Sequence, residues 1–333
     1  MKKFIKGCLC VALFFLGAGL ALTVAGCALG GADQVSSVVQ SVTGGKVNVN
    51  LDPSSESFGI NVGGFSTDDV KNAFVGILDN KIYNIEDYGT IYDDGEEILT
   101  GNVEKHLLST GDVDKLRIDV AGCELKLVRS EDEGFWIEAK EVSQLQAYVK
   151  EDVLRIISTL KNKTISGADI KKSVITLYIP EEYCFEEAEV ELGAGIFRTE
   201  ELYAKQLKLE VGAGQAITEK VICDECKVEI GAGDGTFTDA ELGKLDCEVG
   251  AGNLSLKGVL NEDVKVSCAM GNIDLKLSNK VTDFDYKIEC AAGNVDLDGR
   301  KYSGLANSQK IDNDADREMK LECSVGNVTV RFE

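Results

Sequence analysis

One short phrase, Glu followed by an aliphatic residue and Gly-Ala-Gly, recurs at a fixed interval in the second half of this 333-residue chain. The four full copies are spaced 19 residues apart and end at Gly195, Gly214, Gly233 and Gly252. Degenerate copies follow after steps of 19, 22 and 33 residues and end at Gly271, Gly293 and Gly326. A repeat of about twenty residues is typical of solenoids, in which each repeat is one coil stacked on its neighbour. The phrase therefore predicts a solenoid.

Apolar and charged residues alternate from about residue 112 onward, as in Leu116–Val120 and Val174–Ile179. Period-two alternation indicates strands that are buried on one face, and helical spacing is absent from this part of the sequence. We therefore expect an all-β domain over residues 112–333. Its fold is predicted to be a single-stranded, right-handed parallel β-helix with about 19–22 residues per coil.

The alternation slips at Gly252-Asn253, and a Gly-Asn step follows three of the later copies as well. We expect a tight corner there, because glycine and asparagine adopt positive φ at low cost. The alanine inside each phrase is expected to fill an inside corner with room for only a methyl group. Stacked coils should align four asparagines into a ladder of hydrogen-bonded amides. These residues are Asn253, Asn272, Asn294 and Asn327.

The glutamate of each full phrase points outward and is predicted to form an acidic stripe. The stripe consists of Glu191, Glu210, Glu229 and Glu248. Like charges at this spacing repel, which favours a bound cation or a basic partner such as a cationic peptide, a protein or a cell-envelope polymer. The net charge of −22 argues against nucleic-acid binding, because such a surface repels phosphate backbones.

The first residues carry three lysines, followed by an uncharged apolar run from Gly7 to Leu29 that is long enough to cross a bilayer. Two outcomes stay open, a retained transmembrane anchor and a lipoprotein signal in which Cys27 of Val24–Cys27 is lipidated. Both predict a membrane-attached protein whose bulk is extracytoplasmic. The predicted organisation is an anchor or signal at 1–31, a tether and irregular mixed region at 32–111, and the repeat domain at 112–333.

Eleven cysteines are present, and three of them replace core aliphatic residues of the repeats. These are Cys268, Cys290 and Cys323. We expect buried thiols, although a Cys268–Cys290 bridge is sterically conceivable if the two residues lie on neighbouring coils. The CxxC at Cys223 and Cys226 has no second copy, and Cys226 falls in a core register.

No catalytic or metal-binding pattern is evident in the sequence. His106 is the only histidine, and the aspartate-containing loop Gly231–Gly235 occurs once, whereas calcium-binding β-rolls repeat such loops in many turns. We therefore predict a non-enzymatic protein without a cofactor or a bound metal.

The segment Ile175–Pro180, the Gly-Ala-Gly copies and the later Gly-Asn copies together resemble the bacterial β-strand-repeat "putative adhesin" family, a domain of unknown function. The resemblance covers residues 112–333 and implies a β-solenoid of the exported, membrane-anchored type found in Gram-positive bacteria. It transfers no catalytic residue, and some relatives accompany cell-envelope stress systems.

Three functions are compatible with these observations. The first is a non-enzymatic cell-surface solenoid that acts in adhesion or envelope interactions. The second is a regulatory component of a cell-envelope stress response. The third is a self-assembling surface scaffold, since the strand-like segment Val328–Glu333 is expected to leave an edge for another copy.

Overall fold

The computed structural model describes residues 97–159, 172–303 and 307–333, together with the backbone of four short strands before residue 166. These residues form β-strands and one 3-10 helix, η1 (Val281–Asp283), and no α-helix occurs in the part of the chain that is described. The prediction of an all-β fold is confirmed.

The strands before the repeats are β1 (Asn48–Asp52), β2 (Ser57–Asn61), β3 (Tyr83–Asn84), β4 (Leu99–Ser109), β5 (Lys115–Val120), β6 (Glu124–Ser130), β7 (Phe135–Lys150), β8 (Val153–Thr159), β9 (Thr164–Ile165) and β10 (Val174–Pro180). The repeats contain β11 (Cys184–Leu192), β12 (Ile196–Val211), β13 (Gln215–Ile230), β14 (Asp234–Val249), β15 (Asn253–Leu260), β16 (Val264–Cys268) and β17 (Asn272–Leu277). The last strands are β18 (Asp285–Cys290), β19 (Asn294–Leu297), β20 (Arg300–Ser303), β21 (Asn307–Ile311), β22 (Glu318–Cys323) and β23 (Asn327–Phe332).

The chain divides into two units, residues 1–81 and 82–333. In the first unit, β1 and β2 pair antiparallel. In the second, β3 and β9 form a short antiparallel pair, and the remaining strands join one large sheet. Strand β4 belongs to this sheet because it pairs with β7, although it precedes residue 112, where the sequence places the start of the repeat domain.

The full repeats stack in parallel with a constant register. Each residue of β12 lies beside the residue 19 positions later in β13, and β13 and β14 are related in the same way. We use the word rung for the strands of one such coil. This pairing confirms the predicted solenoid-like stacking of the Gly-Ala-Gly repeats.

Each long strand lines three sides of its rung. In β12 every second residue is buried up to Thr199. Two consecutive outward residues then interrupt this alternation before Leu202, and two more interrupt it between Ala204 and Leu207. We call each interruption a slip. The residues at the slips are exposed and charged or polar, as at Lys205 and Gln206. Because each slip keeps the apolar side chains inward while the backbone turns, a 16-residue strand can wrap a continuous core.

The coils before the full repeats depart from a uniform parallel helix. Strand β7 pairs antiparallel with β4, β8 and β10, whereas β6 pairs in parallel with β10 and β12. Together with the parallel pairs β5–β8, β11–β5 and β11–β12, the contacts of β7 with β8 and β10 and of β6 with β10 and β12 close a ring of seven strands, of which β4 is not a member. A purely parallel coil over all of 112–333 is therefore wrong, since the hairpin β7–β8 lets the chain reverse direction inside the ring.

The last rungs do not stack in chain order. Strand β22 lies between β16 and β18, and β23 lies between β17 and β19, all in parallel. In the sequence, β18 and β19 come first and are followed by the antiparallel strands β20 and β21, in which the chain reverses direction. Strands β22 and β23 come last and occupy the rung between β16/β17 and β18/β19. The segment Val328–Glu333 does not leave the fully free edge that the sequence predicts, because β23 is paired on both sides from Asn327 to Val330.

The last glycine of each phrase lies where a side chain would collide with the adjacent rung. A Cβ built on Gly233 would lie 2.2 Å from the carbonyl oxygen of Gly214 and 3.0 Å from Cγ1 of Val211. At the other copies the built Cβ would lie 1.9–2.7 Å from a carbonyl oxygen of the adjacent rung, namely at Gly195, Gly214, Gly252, Gly271, Gly293 and Gly326. The corner backbones can approach this closely only without a side chain.

Two expectations about the corner are wrong. Among the described residues, neither the phrase glycines nor the ladder asparagines have positive φ, so steric contact rather than left-handed backbone explains the glycines. The alanines do not share an inside corner, because only Ala194 is buried, at 4% exposure, whereas Ala232 and Ala251 are exposed and the next rung has Met270 in the same place, 46% exposed. The buried position is the glycine that follows.

Adding one methyl group to the glycine column should destabilise the stack. We expect Gly233→Ala to lower the free energy of unfolding by about 3 kcal/mol, because the rungs must separate to admit the Cβ. Urea unfolding of the full-length chain, followed by circular dichroism, measures the change.

Gly111→Ala is the matched control. Its built Cβ lies 3.6 Å from the nearest atom and its φ is not positive, so the substitution should change stability by less than about 0.5 kcal/mol. Equal effects of the two substitutions would contradict the steric account.

Candidate functional site: the charged face

The phrase glutamates stack in one column, and this column is longer than the repeats. In register, each residue contacts the next across the rungs, and Ser267 is the one uncharged member. In spatial order its members are Asp119, Glu191, Glu210, Glu229, Glu248, Ser267, Glu322 and Glu289. We call this set the acidic column.

A second column, two residues earlier on each strand, runs beside the acidic column and is mostly basic. Its members, in the same spatial order, are Arg117, Glu189, Lys208, Lys227, Asp246, Lys265, Lys320 and Lys287. We call it the basic column, and the two columns together form the charged face.

Ion pairs join the two columns, so the glutamates do not form a bare acidic stripe. Nζ of Lys227 lies 2.8 Å from Glu229, and Nζ of Lys265 lies 3.7 Å from Glu248. The Lys287–Glu289 pair is also 2.8 Å apart. The signal for this pairing is present in the sequence as a Lys-aliphatic-Glu pattern, because residues i and i+2 of a strand project from the same face.

The charge is least balanced where three carboxylates share one lysine. Nζ of Lys208 lies 2.6 Å from both Glu189 and Glu210 and 3.7 Å from Glu191. Glu210 is only 2% exposed, and its Oε2 is buried without a hydrogen-bond partner. Oδ1 of Asp119 is also buried without a hydrogen-bond partner. Burial opposes the charge on Lys208, but its hydrogen bonds to Glu189 and Glu210 raise the lysine pKa.

This crowding changes the titration of Glu191. Burial, followed by the negative charges of Glu210 and Asp119, raises the pKa of Glu191 to about 7. Burial likewise raises the pKa of Asp119. Near neutral pH, Glu191 is therefore partly protonated, and this end of the acidic column carries less negative charge than its sequence indicates.

The predicted asparagines hydrogen-bond to one another in spatial rather than chain order. The amide of Asn272 donates to Asn253 at 2.8 Å, Asn327 donates to Asn272 at 2.8 Å, and Asn294 donates to Asn327 at 3.1 Å. Asn253 donates in turn to Asp234 at 2.8 Å. The ladder lies on a different side of the rung from the charged face and closes the corner beside the glycines.

Eight cysteines lie among the described residues; all are free, and seven of them are buried. Cys226 faces the core, in agreement with its predicted register, and Cys223 is buried as well, at 3% and 4% exposure respectively. Cys268 and Cys290 are not neighbours, because Cys323 lies between them. The conceivable Cys268–Cys290 bridge is therefore wrong for this fold.

The remaining predictions concern His106, metal binding and the N-terminal anchor. His106 is exposed on β4, and no group of three or more potential ligands with metal-binding geometry occurs within residues 97–159, 172–303 and 307–333. The predicted anchor at 1–31 and the candidate lipidation site Cys27 lie outside the described residues. No helix within the described residues is long and apolar enough to span a membrane.

A family model described as Toastrack DUF4097 matches residues 113–320, more than half of the chain. The chain belongs to the Toastrack DUF4097 family. The Toastrack match begins just before β5 and ends within β22, so it contains the seven-strand ring and most of the charged face. It confirms the expected family of β-strand repeats of unknown function. No curated protein shows significant sequence similarity to this Toastrack chain.

Three solved structures are similar to the Toastrack chain at low identity. A putative cell adhesion protein from Clostridium sporogenes has 17% identity and a TM-score of 0.33, covering 72% of this chain and 99% of its own. A putative adhesin from Bacteroides fragilis has 13% identity and a TM-score of 0.40, with coverage of 70% and 97%. A putative lipid binding protein from Parabacteroides distasonis has 14% identity and a TM-score of 0.38, with coverage of 70% and 98%.

Replacing the crowded carboxyl by an amide should stabilise the fold at alkaline pH. Since the pKa of Glu191 is raised in the folded state, stability is fully present below the unfolded value of 4.5 and is lost as pH rises through about 7. Glu191→Gln removes this loss, so we expect about 2 kcal/mol of added stability at pH 8 that disappears by pH 4.

Urea unfolding of the full-length chain across this pH range measures the effect. The control is Glu229→Gln, in the same column, which loses its 2.8 Å ion pair with Lys227 and should not be stabilised at pH 8. A gain for Glu191→Gln that is equal at pH 4 and pH 8 would contradict the crowding account.

Proposed function

We propose that this protein is a non-enzymatic, membrane-attached surface protein that presents its charged face to a cationic partner in adhesion or envelope interactions. The observation that carries the proposal is the pair of charged columns, which repeats at rung spacing along one side of the stack. We also propose that the coils wind in the right-handed sense, which is the usual hand of parallel β connections.

The attachment is supported by the order of charge at the start of the sequence. Three lysines precede the uncharged run Gly7–Leu29, and the chain beyond it is acidic. Positive residues favour the cytoplasmic side, so this order favours an extracytoplasmic repeat domain. Attachment takes place either through the retained run or through a lipid on Cys27.

The choice of a cationic partner follows from the side of the acidic column that the lysines leave open. Glu248 has 44% of its side chain exposed, and its ion pair with Lys265 is long at 3.7 Å. Glu229 lies on the adjacent rung with 18% of its side chain exposed, so amino groups repeated along a peptide or polymer can pair with Glu248 and compete with Lys227 for Glu229. Such binding weakens with salt, because exposed charges are screened.

Cell fractionation tests the attachment. Full-length protein is expected in the membrane fraction, and a variant without residues 1–31 is expected in the soluble fraction. Cys27→Ala separates the two modes, because it abolishes fatty-acid labelling of a lipoprotein and leaves a retained anchor unchanged. A deletion variant that still sediments with membranes would contradict the proposed attachment.

Binding of a fluorescent oligolysine peptide tests the partner class. We expect the full-length Glu229→Gln/Glu248→Gln variant to bind about fivefold more weakly than wild type at low salt, since each exposed ion pair contributes about 0.5 kcal/mol. The matched control is Glu219→Gln/Asp239→Asn, which removes two exposed charges from the same rungs on another side. Equal weakening by both variants, or no binding to wild type, would overturn the charged face as the site.

A further inference from the structure

Three cysteines occupy consecutive rungs because the last strands enter the stack out of chain order. Cys323 on β22 pairs in register with Cys268 on β16 and with Cys290 on β18. The three residues are 2–3% exposed and continue the core column that holds Val211, Ile230 and Val249 in earlier rungs. We call this set the thiol column.

The thiols of Cys268 and Cys323 point in the same direction along the stack, each toward the glycine of the next rung. A Cβ built on Gly326 would lie 2.7 Å from Sγ of Cys268, and one built on Gly293 would lie 2.4 Å from Sγ of Cys323. Each sulfur therefore occupies the space that the glycine of the next rung leaves free. Equivalent residues of parallel neighbours lie about 4.8 Å apart, which is within the range that a disulfide bridges.

Each thiol of the first pair donates a hydrogen bond to its own corner, Sγ of Cys268 to the carbonyl oxygen of Gly271 at 3.1 Å and Sγ of Cys323 to that of Gly326 at 3.0 Å. The neighbouring Cys323 thiol lowers the pKa of Cys268, whereas Cys268 and burial raise the pKa of Cys323. A thiol with a lowered pKa is the better nucleophile, since the thiolate is the reactive form. Burial instead raises the pKa of Cys290, to about 11.

We propose that Cys323 is a disulfide-forming site that joins the last two strands covalently to the stack, with Cys268 as its first partner and Cys290 as its alternative. This site is independent of the charged face and of the function proposed for it. The oxidant is a disulfide, either of a low-molecular-weight thiol or of a thiol oxidoreductase.

The reaction is a pair of thiol–disulfide exchanges. The Cys268 thiolate attacks one sulfur of the oxidant, forms a mixed disulfide and releases the first reduced thiol. The Cys323 sulfur then attacks the Cys268 sulfur, forms the Cys268–Cys323 bond and releases the second. The two protons of the protein thiols end on the released thiols, and the oxidant takes up both electrons. Attack of Cys290 on Cys323 moves the bond and restores the Cys268 thiol.

The bond would restrain the last rungs of the stack. Cys268 and Cys323 are 55 positions apart in the sequence, and the segment between them contains β17 to β21. Closing so long a loop restricts the unfolded chain strongly, so oxidation should raise the thermal midpoint. The Cys223–Cys226 pair would instead close a loop within one rung and would join no rungs.

Disulfide mapping by mass spectrometry tests the proposal. Full-length protein is equilibrated with oxidised glutathione while it is reversibly opened in mild urea, and free thiols are then blocked. We expect a Cys268–Cys323 cross-link as the main product, a minor Cys290–Cys323 product, and a thermal midpoint several degrees higher that dithiothreitol reverses.

Three variants sharpen the test, with valine chosen because it fills the same column at residues 211 and 249. Cys268→Val should give only Cys290–Cys323, Cys290→Val only Cys268–Cys323, and Cys323→Val neither product and no rise in midpoint. Cys184→Ser, which changes the exposed cysteine outside the column, should behave as wild type.

Several outcomes would overturn the proposal. These are a Cys268–Cys290 cross-link in wild type, cross-linking confined to Cys223–Cys226, or no cross-link to Cys323 under these conditions. If Cys323→Val does not fold, mapping of the wild type and of the other two column variants still decides between the outcomes.

Discussion

The close approach of successive corners is the contact on which this structure depends. At each corner the backbone N–H groups donate to carbonyl oxygens of the adjacent rung, as from Ala232 to Gly212 at 2.8 Å and from Asp234 to Gly214 at 3.0 Å. A side chain at the following glycine would occupy the same space as those carbonyl oxygens. The glycine column therefore keeps every strand of the repeats in one register, because each rung is paired through its turns as well as its strands.

Because the register is fixed, side chains at equivalent positions of successive rungs form columns with shared properties. The asparagine ladder, the thiol column and each of the two columns of the charged face contain one residue from every rung they cross. Their chemistry depends on the neighbours above and below rather than on the neighbours in sequence. Glu191 shows this clearly, since its raised pKa results from burial and from Glu210 and Asp119, which lie on other strands.

The sequence predicted the period, the strands, the four stacked glutamates and the four ladder asparagines, because these follow from local alternation and from the repeated phrase. It did not predict the order of the last rungs, since the steps from Gly271 to Gly293 and Gly326 carry no information about which coil fills which position. The ring was not predicted, because the antiparallel pairing of β7 with β10 depends on contacts between segments that are distant in the sequence. The lysines of the charged face are present in the sequence as the Lys-aliphatic-Glu pattern, but only the glutamates were predicted to form a stripe.

The order of the last rungs is the central structural claim, and double-mutant cycles on the asparagine ladder test it most directly. The amide of Asn327 bonds to Asn272, whereas Asn294 lies one rung further away. For Asn272→Ala combined with Asn327→Ala, the account predicts a coupling energy of about 1 kcal/mol in urea unfolding. For Asn272→Ala combined with Asn294→Ala it predicts a markedly smaller coupling. A larger coupling between 272 and 294 than between 272 and 327 would show that the coils stack in chain order and would contradict this structure.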